Sequence, residues 1–310
     1  MISAKTNTAV RPILLLGSAG QLGATLRTVL TQVGKVIAAD RAMVDFTNFG
    51  RLGEFVRESQ PSIIVNAAAY TAVDKAESEH DVAAAVNATA PAALAKVARE
   101  TDAVLIHYST DYVFDGSKPS AYVESDPVSP LNVYGSTKAQ GEAAIQTSGC
   151  RFLIFRTSWV YSERGSNFLL TMLRLARQRD ELRIVNDQRG APTSTHSLAR
   201  ATAVIINEYC AGGWREGNGI YHMTDSGSTS WFGFAKAILE RASKRFGIPL
   251  PQLIPITSAE YPTPARRPLN SVLSCEKLKA SFGISMPNWE DSLDEVLNAY
   301  ASASTKMAAR

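Results

Sequence analysis

Short apolar runs alternate with helix-like segments along the first half of the chain. The runs of strand length are 12–16, 36–39, 63–65, 104–108 and 152–155. Between them, apolar side chains recur every three or four positions, which is the period of an amphipathic helix. Strands that lack polar alternation are typical of a parallel sheet covered by helices on both faces. The pattern therefore predicts an α/β fold with a doubly wound parallel sheet, which binds ligands beyond the carboxyl ends of its strands.

The second half of the chain is less regular. Helical segments are predicted at 167–179, 198–209 and 231–246, with stretches rich in glycine and proline between them. The segment 247–268 holds six prolines, which predicts a long ordered loop or a cover over a site. We expect two parts. Residues 1–160 form the main sheet domain, which 195–222 rejoin, and 161–310 form mainly a smaller C-terminal α/β lobe.

The composition excludes several classes of protein. Apolar residues make up 45% and charged residues 20% of the 310 residues, as in ordinary globular chains and unlike disordered ones. No uninterrupted run of about 18 apolar residues occurs, so a membrane-spanning helix is not expected. Residues 1–12 are polar with scattered charges, which fits neither a signal peptide nor an anchor. We therefore expect a cytoplasmic protein with no membrane partner.

Charge and the metal-binding residue types add two further exclusions. The net charge is +3 without a dense basic tract, and the basic stretch 174–183 is interpreted as an exposed helix face, so we expect no nucleic acid partner. Three widely separated cysteines are typical of reduced thiols. The four histidines lack metal-ligand spacing, and we predict no metal site from them.

Three glycines follow the first predicted strand at a spacing of three. Gly17, Gly20 and Gly23 permit a tight turn, close approach of a pyrophosphate to the backbone, and close packing of the next helix on the strand. The phosphate would then meet the unpaired N–H groups at the helix N-terminus. A turn that serves only packing is the alternative, but the position after the first strand favours a dinucleotide site.

Asp40 closes the second predicted strand. A carboxylate there can accept hydrogen bonds from an adenosine ribose, and the next residue, Arg41, can pair with a 2′-phosphate. The two neighbours leave NADH and NADPH both open as cofactors. An ordinary solvated turn is the alternative interpretation of Asp40.

Tyr134 and Lys138 are four residues apart in a predicted helix, so they share one face. An ammonium group beside a phenol is expected to lower the tyrosine pKa from about 10 toward neutrality, which makes the phenol a usable acid. Thr110 lies at the end of the preceding strand, where its hydroxyl can bind the same carbonyl oxygen. A surface Tyr/Lys pair without a function is the alternative. The glycine turn, the strand-end hydroxyl and the Tyr/Lys pair follow one another along the chain in the order expected of an active site, which favours a catalytic role.

These three elements resemble the extended short-chain dehydrogenase/reductase superfamily. Longer stretches narrow the resemblance to the dTDP-4-dehydrorhamnose reductases, and it covers nearly the whole chain. They are VNAAAYTAVDKAE (65–77), YSTDYVFDG (108–116), SPLNVYG (129–135), FRTSWVY (155–161), NDQRGAPT (186–193) and YPTPARRP (261–268). The resemblance implies a Rossmann-type domain and reduction of the C4 ketone of dTDP-4-dehydro-β-L-rhamnose by NADH or NADPH.

The resemblance also assigns site residues. It implies that Gly20, Gln21 and Leu22 meet the cofactor diphosphate and that Asp40 meets the ribose. It further implies that the cofactor is lined by Asp45, Phe46, Ala69, Tyr70 and Thr71.

On the sugar side, the resemblance implies that Thr110 and Asp111 touch the substrate and that Tyr134 donates the proton. Lys138 would hold the nicotinamide ribose. Trp159 would cover the sugar, although core filler is its alternative role. We add Arg267 as a candidate for the nucleotide diphosphate, because a guanidinium binds phosphate with two parallel hydrogen bonds, and a solvated turn is its alternative.

Two departures from family patterns matter. Some relatives bind magnesium at an acidic contact between two copies, so a homodimer is one prediction. Thr25 stands where the acid would be, and we do not expect that metal. Sugar-nucleotide dehydratases place Asp-Glu after the active-site threonine, whereas Asp111-Tyr112 follow Thr110 here, which disfavours dehydration.

Other functions on the same fold stay open. One is a non-catalytic binding subunit, like the regulatory subunits of methionine adenosyltransferase that resemble this family. Another is a reductase of a different dTDP-4-keto-6-deoxy sugar. The complete set Thr110, Tyr134 and Lys138 favours an enzyme, because a binding subunit needs no proton donor.

Overall fold

The computed structural model describes residues 11–212 and 218–308, with side chains described as far as 303. Residues 1–10 of the predicted polar N-terminal segment lie outside the described part. The strands are β1 (Ile13–Leu16), β2 (Val36–Ala39), β3 (Ile63–Asn66), β4 (Val104–Thr110), β5 (Arg151–Thr157), β6 (Val160–Tyr161), β7 (Glu181–Val185), β8 (Arg189–Gly190), β9 (Thr193–Ser194), β10 (Gly219–His222), β11 (Thr229–Ser230) and β12 (Gln252–Ile256). The helices are α1 (Gln21–Leu30), α2 (Phe49–Ser59), α3 (Val73–Ala76), α4 (His80–Ala84), α5 (Ala90–Glu100), α6 (Val133–Thr147), α7 (Phe168–Leu175), α8 (Thr195–Gly212), α9 (Trp231–Phe246), α10 (Glu276–Phe282) and α11 (Trp289–Ala308).

The main sheet has six parallel strands in the order β2-β1-β3-β4-β5-β10. The strand order reverses between β1 and β3, and such a reversal opens a crevice outside the carboxyl ends of the two strands. The predicted doubly wound α/β fold is confirmed. The crevice places the glycine turn after β1 next to the segment after β3.

Both faces of the sheet are buried, which explains the solidly apolar strands. Leu15 belongs to one core with residues of α1 and α8. Leu14 and Leu16 belong to a second core with residues of α2 and α5. Successive side chains of a strand point to opposite faces, so a strand between two helix layers requires apolar residues at every position.

Helices α4 and α5 form one continuous rod. The residue pattern between β3 and β4 predicts separate helices over 81–87 and 91–99, but a π-helical turn, Ala85–Thr89, joins them. Pro91 lacks the N–H that an α-helix would direct at the carbonyl of Asn87, so the helix changes pitch where the prediction had an interruption. The Asn87 side chain is thereby available to the site described below.

A separate apolar core holds the second half of the chain together. It is formed by one face each of α7, α9 and α11 with β7. Of the two alternatives for 247–268, a loop throughout is wrong, because β12 pairs in parallel with β7. Pro255 lies within β12, where the two-stranded sheet leaves it an edge position that needs no N–H.

Within the described ranges, no helix is long and apolar enough to cross a membrane. The same residues contain no group of three or more acidic, histidine or cysteine side chains arranged for a metal ion. All three cysteines are unpaired, with Cys150 buried and Cys210 exposed.

Candidate active site

The glycine turn is shaped for close approach. Gly17 has φ +78°, and a Cβ on it would lie 2.6 Å from the backbone nitrogen of Ala68. A Cβ on Gly23 would lie 2.0 Å from the carbonyl oxygen of Gly17. Gly20 precedes α1 without a side-chain cap. The first N–H groups of α1, from Gln21 onward, therefore face the crevice as an anion site that side chains leave open.

The side chain of Gln21 turns away from this anion site. Its Oε1 accepts hydrogen bonds from Ser162 Oγ at 3.2 Å and Asn167 Nδ2 at 2.7 Å, and its Nε2 donates to the Ser166 carbonyl at 3.1 Å. Gln21 thus ties the glycine turn to the 162–167 loop, so it and Leu22 can offer only backbone groups to a phosphate. Thr25, one turn on, hydrogen-bonds Thr195 of α8 at 3.0 Å.

The residues after β2 form a compact turn. Asp40 Oδ1 accepts hydrogen bonds from the N–H groups of Ala42 at 2.9 Å and Met43 at 3.3 Å, and Arg41 is exposed. The carboxylate of Asp45 is exposed and accepts from Thr47. The Phe46 side chain is buried in the sheet core, so only its backbone is available to a cofactor.

Beyond β3, the backbone of Tyr70 is held by Asn87 from the π-turn. Asn87 Oδ1 accepts from the Tyr70 N–H at 2.9 Å, and its Nδ2 donates to the Tyr70 carbonyl at 3.0 Å. The Tyr70 phenol donates to Glu79 at 2.6 Å, which raises its pKa to about 12. Ala69 is half-buried and Thr71 exposed beside this fixed segment.

The predicted catalytic side chains converge at the carboxyl end of β4. Thr110 ends that strand, and Tyr134 lies in the first turn of α6, which Asn132 caps by accepting from the Gly135 N–H at 2.8 Å. The ring of Tyr134 packs edge-on against Tyr112 with centroids 5.8 Å apart. Lys138 is buried one turn further along the same helix.

The expected lowering of the Tyr134 pKa is wrong for this structure. Burial raises the pKa of Tyr134 to about 12, and a hydrogen bond with Thr110 only partly opposes the rise. The Lys138 ammonium does not help, because Nζ donates to the Tyr108 carbonyl at 2.6 Å and contacts His107 Nε2 at 3.2 Å. Burial also lowers the pKa of Lys138 to about 8, against the charge of Glu142.

Asp111 brings a buried carboxyl group to the same place. Its Oδ1 accepts from the Thr110 hydroxyl at 3.0 Å, and its Oδ2 has no hydrogen-bond partner. Burial raises the pKa of Asp111 to about 7, although hydrogen bonds from Ser271 and Thr110 favour the ionised form.

Trp159 and Arg267 are both ordered by other side chains. Trp159 has φ +46°, rare for a bulky residue, and stacks on Trp231 at 3.6 Å between centroids. Arg267 is not a solvated turn residue: it is paired with Asp74, with 2.8 Å between Nη2 and Oδ2, and its side chain is 21% exposed. This ion pair joins segment 261–268, which contains Arg267, to α3.

A cavity of about 760 Å³ opens between Asp74 and α7. Its aromatic lining comes from Phe168, Trp231 and Tyr261, and its cations include Arg267 and Arg183. Aromatic faces beside guanidinium groups suit a ligand that carries a flat ring and phosphates.

Sequence reasoning missed several of these residues. Asn66, Asn87, His107 and Trp231 were not singled out as site residues. Asn66 and His107 did leave a signal, since each is a polar residue within or directly after an apolar strand run. Asn87 and Trp231 left none, because their partners are distant in sequence.

Comparisons with known proteins agree with this geometry. The family model described as RmlD substrate binding domain matches residues 11–302. A dTDP-4-dehydrorhamnose reductase of Escherichia coli K12 is 47% identical over 292 residues, which span 92% of this chain and 97% of the relative. A crystal structure of that enzyme from Bacillus anthracis in complex with NADP has 34% identity and a TM-score of 0.85, and covers 93% of this chain and 99% of its own. A Clostridium acetobutylicum orthologue has 37% identity and a TM-score of 0.86, with coverage of 93% and 99%. The chain therefore belongs to the dTDP-4-dehydrorhamnose reductase family.

Proposed function

We propose that this protein reduces the C4 ketone of dTDP-4-dehydro-β-L-rhamnose to the alcohol of dTDP-β-L-rhamnose, using NADH or NADPH. The observation that carries the proposal is the convergence of Thr110, Tyr134 and Lys138 at the carboxyl end of β4, next to the sheet crevice. The relatives in the same family are dTDP-4-dehydrorhamnose reductases, which supports this substrate.

The glycine turn fits a dinucleotide. The missing Cβ atoms of Gly17 and Gly23 bring the backbone to the crevice, and the uncapped start of α1 offers N–H groups to a diphosphate. In this proposal Asp40 and Arg41, which directly follow β2, recognise the adenosine ribose and a 2′-phosphate. When bound, NAD(P)H supplies the hydride.

Tyr134 and Thr110 perform the proton chemistry. In this mechanism the Tyr134 phenol donates a hydrogen bond to the ketone oxygen and transfers its proton to the alkoxide that develops there. The Thr110 hydroxyl, which here donates to Asp111 Oδ1 at 3.0 Å, would turn to the same oxygen when the substrate binds. Each turnover consumes one hydride and one proton, so Tyr134 must recover a proton afterwards. A Tyr134 pKa of about 12 favours the neutral phenol, which is the form that donates.

The cavity beside Arg267 is the proposed nucleotide site. Stacking on an aromatic ring such as Trp231 suits the thymine, and Arg267 suits the diphosphate. Trp159, which stacks on Trp231, lies where it can cover the sugar. In this proposal residues 1–160 hold the cofactor, and 161–310 mainly hold the sugar nucleotide.

A cytoplasmic location is part of the proposal, and the three unpaired cysteines support it. A homodimer remains a prediction, which light scattering on the purified chain would test.

Turnover of the keto sugar nucleotide tests the activity. We expect NADPH absorbance to fall when purified protein meets that substrate, and Tyr134→Phe to lower kcat by about 10²–10⁴ because the proton donor is lost. Tyr161→Phe is the matched control, since the buried Tyr161 hydroxyl has no hydrogen-bond partner and its removal should leave kcat unchanged. Full activity of Tyr134→Phe would refute the mechanism, and binding without turnover in the wild type would indicate a non-catalytic subunit.

A further inference from the structure

Three buried polar side chains from three elements form a chain beneath the candidate active site. Asn66 of β3, His107 of β4 and Lys138 of α6 are each at most 1% exposed. Asn66 Nδ2 lies 3.0 Å from His107 Nδ1, and His107 Nε2 lies 3.2 Å from Lys138 Nζ. A chain of buried polar groups is costly unless every donor meets an acceptor, so its proton positions can be deduced.

The backbone N–H of Ala68 fixes the orientation of the Asn66 side-chain amide. The N–H of Ala68 can only donate, and it points at Asn66 Oδ1 at 3.2 Å. The amide of Asn66 therefore directs its NH₂ group at His107, whose Nδ1 must accept and carry no proton. A neutral imidazole then bears its proton on Nε2, which faces Lys138. His107 stays neutral because burial lowers its pKa well below the usual 6.5.

We propose that Asn66 and His107 are positioning residues that set the protonation of Lys138. The Nε2–H of His107 requires an acceptor at Nζ, and a neutral amine has a lone pair while an ammonium has none. As an amine, Nζ can accept from His107 and still donate to the Tyr108 carbonyl at 2.6 Å. The fixed tautomer thus destabilises the ammonium form in the protein without cofactor.

The carboxylates on the elements around Lys138 favour its ammonium form. Glu142, one turn further along α6, favours the ammonium form, but it is itself paired with Arg156 of β5 at 2.7 Å. Asp111 follows β4, and Glu77, directly after α3, accepts from the N–H of Val133 at the start of α6. Each of these carboxylates favours the ammonium form, whereas burial and the Nε2–H donor of His107 both oppose it.

The consequence for the reaction rests on the proposed function. Lys138 with a pKa near neutrality exchanges protons readily with its surroundings, which suits a group that must help to restore the proton lost by Tyr134. A lysine with an ordinary pKa near 10.4 would hold its proton too firmly. The test below uses protein without cofactor or substrate, so it succeeds or fails independently of turnover.

The first measurement is the tautomer of His107 by ¹⁵N NMR of histidine-labelled protein at pH 7.5. We expect a neutral ring protonated on Nε2. His222 is an internal reference of the opposite kind, because its Nδ1 faces the Tyr122 carbonyl and must carry the proton. An Nδ1-protonated or charged His107 would overturn the proposal.

The second measurement is the titration of Lys138, followed by NMR of the labelled lysine Cε and assigned with Lys138→Arg. We expect a midpoint near 8 in the wild type and a rise of one pH unit or more in His107→Phe, which lacks the opposing donor. His222→Phe is the control, since it removes a second fully buried strand histidine and should leave the midpoint unchanged.

Asn66→Asp is an independent variant in which the side chains at positions 66, 107 and 138 can all stay hydrogen-bonded to one another. A carboxylate would accept from His107 Nδ1–H, reverse the tautomer and turn Nε2 into an acceptor for the ammonium. We expect the Lys138 midpoint to rise in this variant too, together with the change in the His107 ¹⁵N shifts. A midpoint that stays the same in both His107→Phe and Asn66→Asp, or a wild-type midpoint near 10, would contradict the proposal.

Discussion

Burial acts on individual side chains at the end of β4 in opposite directions. It raises the pKa of Tyr134 to about 12 and of Asp111 to about 7, and it lowers the pKa of Lys138 to about 8. The common cause is that low-polarity surroundings disfavour whichever form is charged. In all three groups the neutral form is therefore accessible near neutral pH, which suits the proton transfer proposed above.

Asp111→Asn should make the protein more stable and less active. Because the folded pKa of Asp111 is above its unfolded value of 3.8, the folded state binds more protons, and stability falls as pH rises from about 4 to about 7. Removing the charge should raise the unfolding free energy at pH 8 by about 2–4 kcal/mol and leave it little changed at pH 4. Urea denaturation at both pH values measures this.

Asp225→Asn is the matched control for that prediction. Asp225 is also buried, its Oδ1 also lacks a partner, and burial raises its pKa to about 6. It lies outside the site, so a gain in stability should come without loss of kcat, and the gain should be smaller because the pKa of Asp225 is raised less. A gain at pH 4 equal to that at pH 8 would contradict the assignment to the carboxyl charge.

Asp40→Ala tests the cofactor assignment. We expect the Kd for NADH to rise about tenfold or more, because a charged acceptor for the ribose hydroxyls is lost, and the Kd for NADPH to rise less, because Arg41 can still pair with the 2′-phosphate. Fluorescence titration with each cofactor gives both constants. Asp40→Asn should retain the turn to Ala42, which separates loss of charge from loss of the turn. Equal weakening for both cofactors would argue against this role of Asp40.

Among the elements, the strands of the main sheet were more predictable than the π-turn and β12. Every apolar run of the first half became a strand of the sheet, because burial on both faces requires an apolar residue at each position. The π-turn and β12 were missed, because the structural effect of a proline depends on the surrounding fold. Pro91 changes the pitch of a continuous helix, and Pro255 is accommodated in an edge strand.

Helix α8 contributes a pH-dependent contact at the glycine turn. His196 Nε2 lies 3.0 Å from Glu163 Oε2, and its Nδ1 lies 3.3 Å from Glu295 Oε1 of α11. Glu163 follows Ser162, which holds Gln21. The hydrogen bond with His196 lowers the pKa of Glu163 to about 2, and the same bond raises the pKa of His196.

The sign of both shifts defines a pH window for this contact. Stability from Glu163 is present above its unfolded pKa of 4.5 and is lost as pH falls toward 2. Stability from His196 is present below its unfolded pKa of 6.5 and is lost as pH rises through the raised value. We expect Glu163→Gln to lower the unfolding free energy by about 1–2 kcal/mol near pH 5.5 and by less at pH 9.

Arg200→Gln is the control for the Glu163 prediction. Arg200 pairs with Glu295 in the same cluster but keeps its charge across this range. Its loss should therefore have the same effect at pH 5.5 and pH 9 in urea denaturation. A pH-independent effect of Glu163→Gln would show that His196 protonation is not involved.

At the scale of the whole molecule, segment 261–268 is bonded to α3 and to the residue that caps α6. Arg267 pairs with Asp74 of α3, and the carbonyl of Arg266 accepts from Asn132 at 2.7 Å. Asn132 is the residue that caps α6. Segment 261–268 therefore links the lining of the cavity to helix α6.

Arg267→Met should raise KM for the sugar nucleotide about tenfold or more, with a smaller effect on kcat, because a charged hydrogen bond to the diphosphate is lost. Initial rates at varied substrate and saturating NADPH separate the two constants. Arg245→Met is the control, since Arg245 pairs with Asp294 between α9 and α11, and neither residue lines the cavity. An unchanged KM in Arg267→Met would remove Arg267 from the proposed diphosphate site.

The sequence by itself determined what depends on local order: the sheet class, the glycine turn after β1, and the shared face of Tyr134 and Lys138. These features follow from strand burial, from missing Cβ atoms and from helix spacing, all of which short segments specify. The tertiary structure decided what depends on neighbours distant in sequence. Burial reversed the expected pKa shift of Tyr134, and His107 was placed against Lys138. Protonation depends on the charges and polarity around a group, and only the folded chain brings those together.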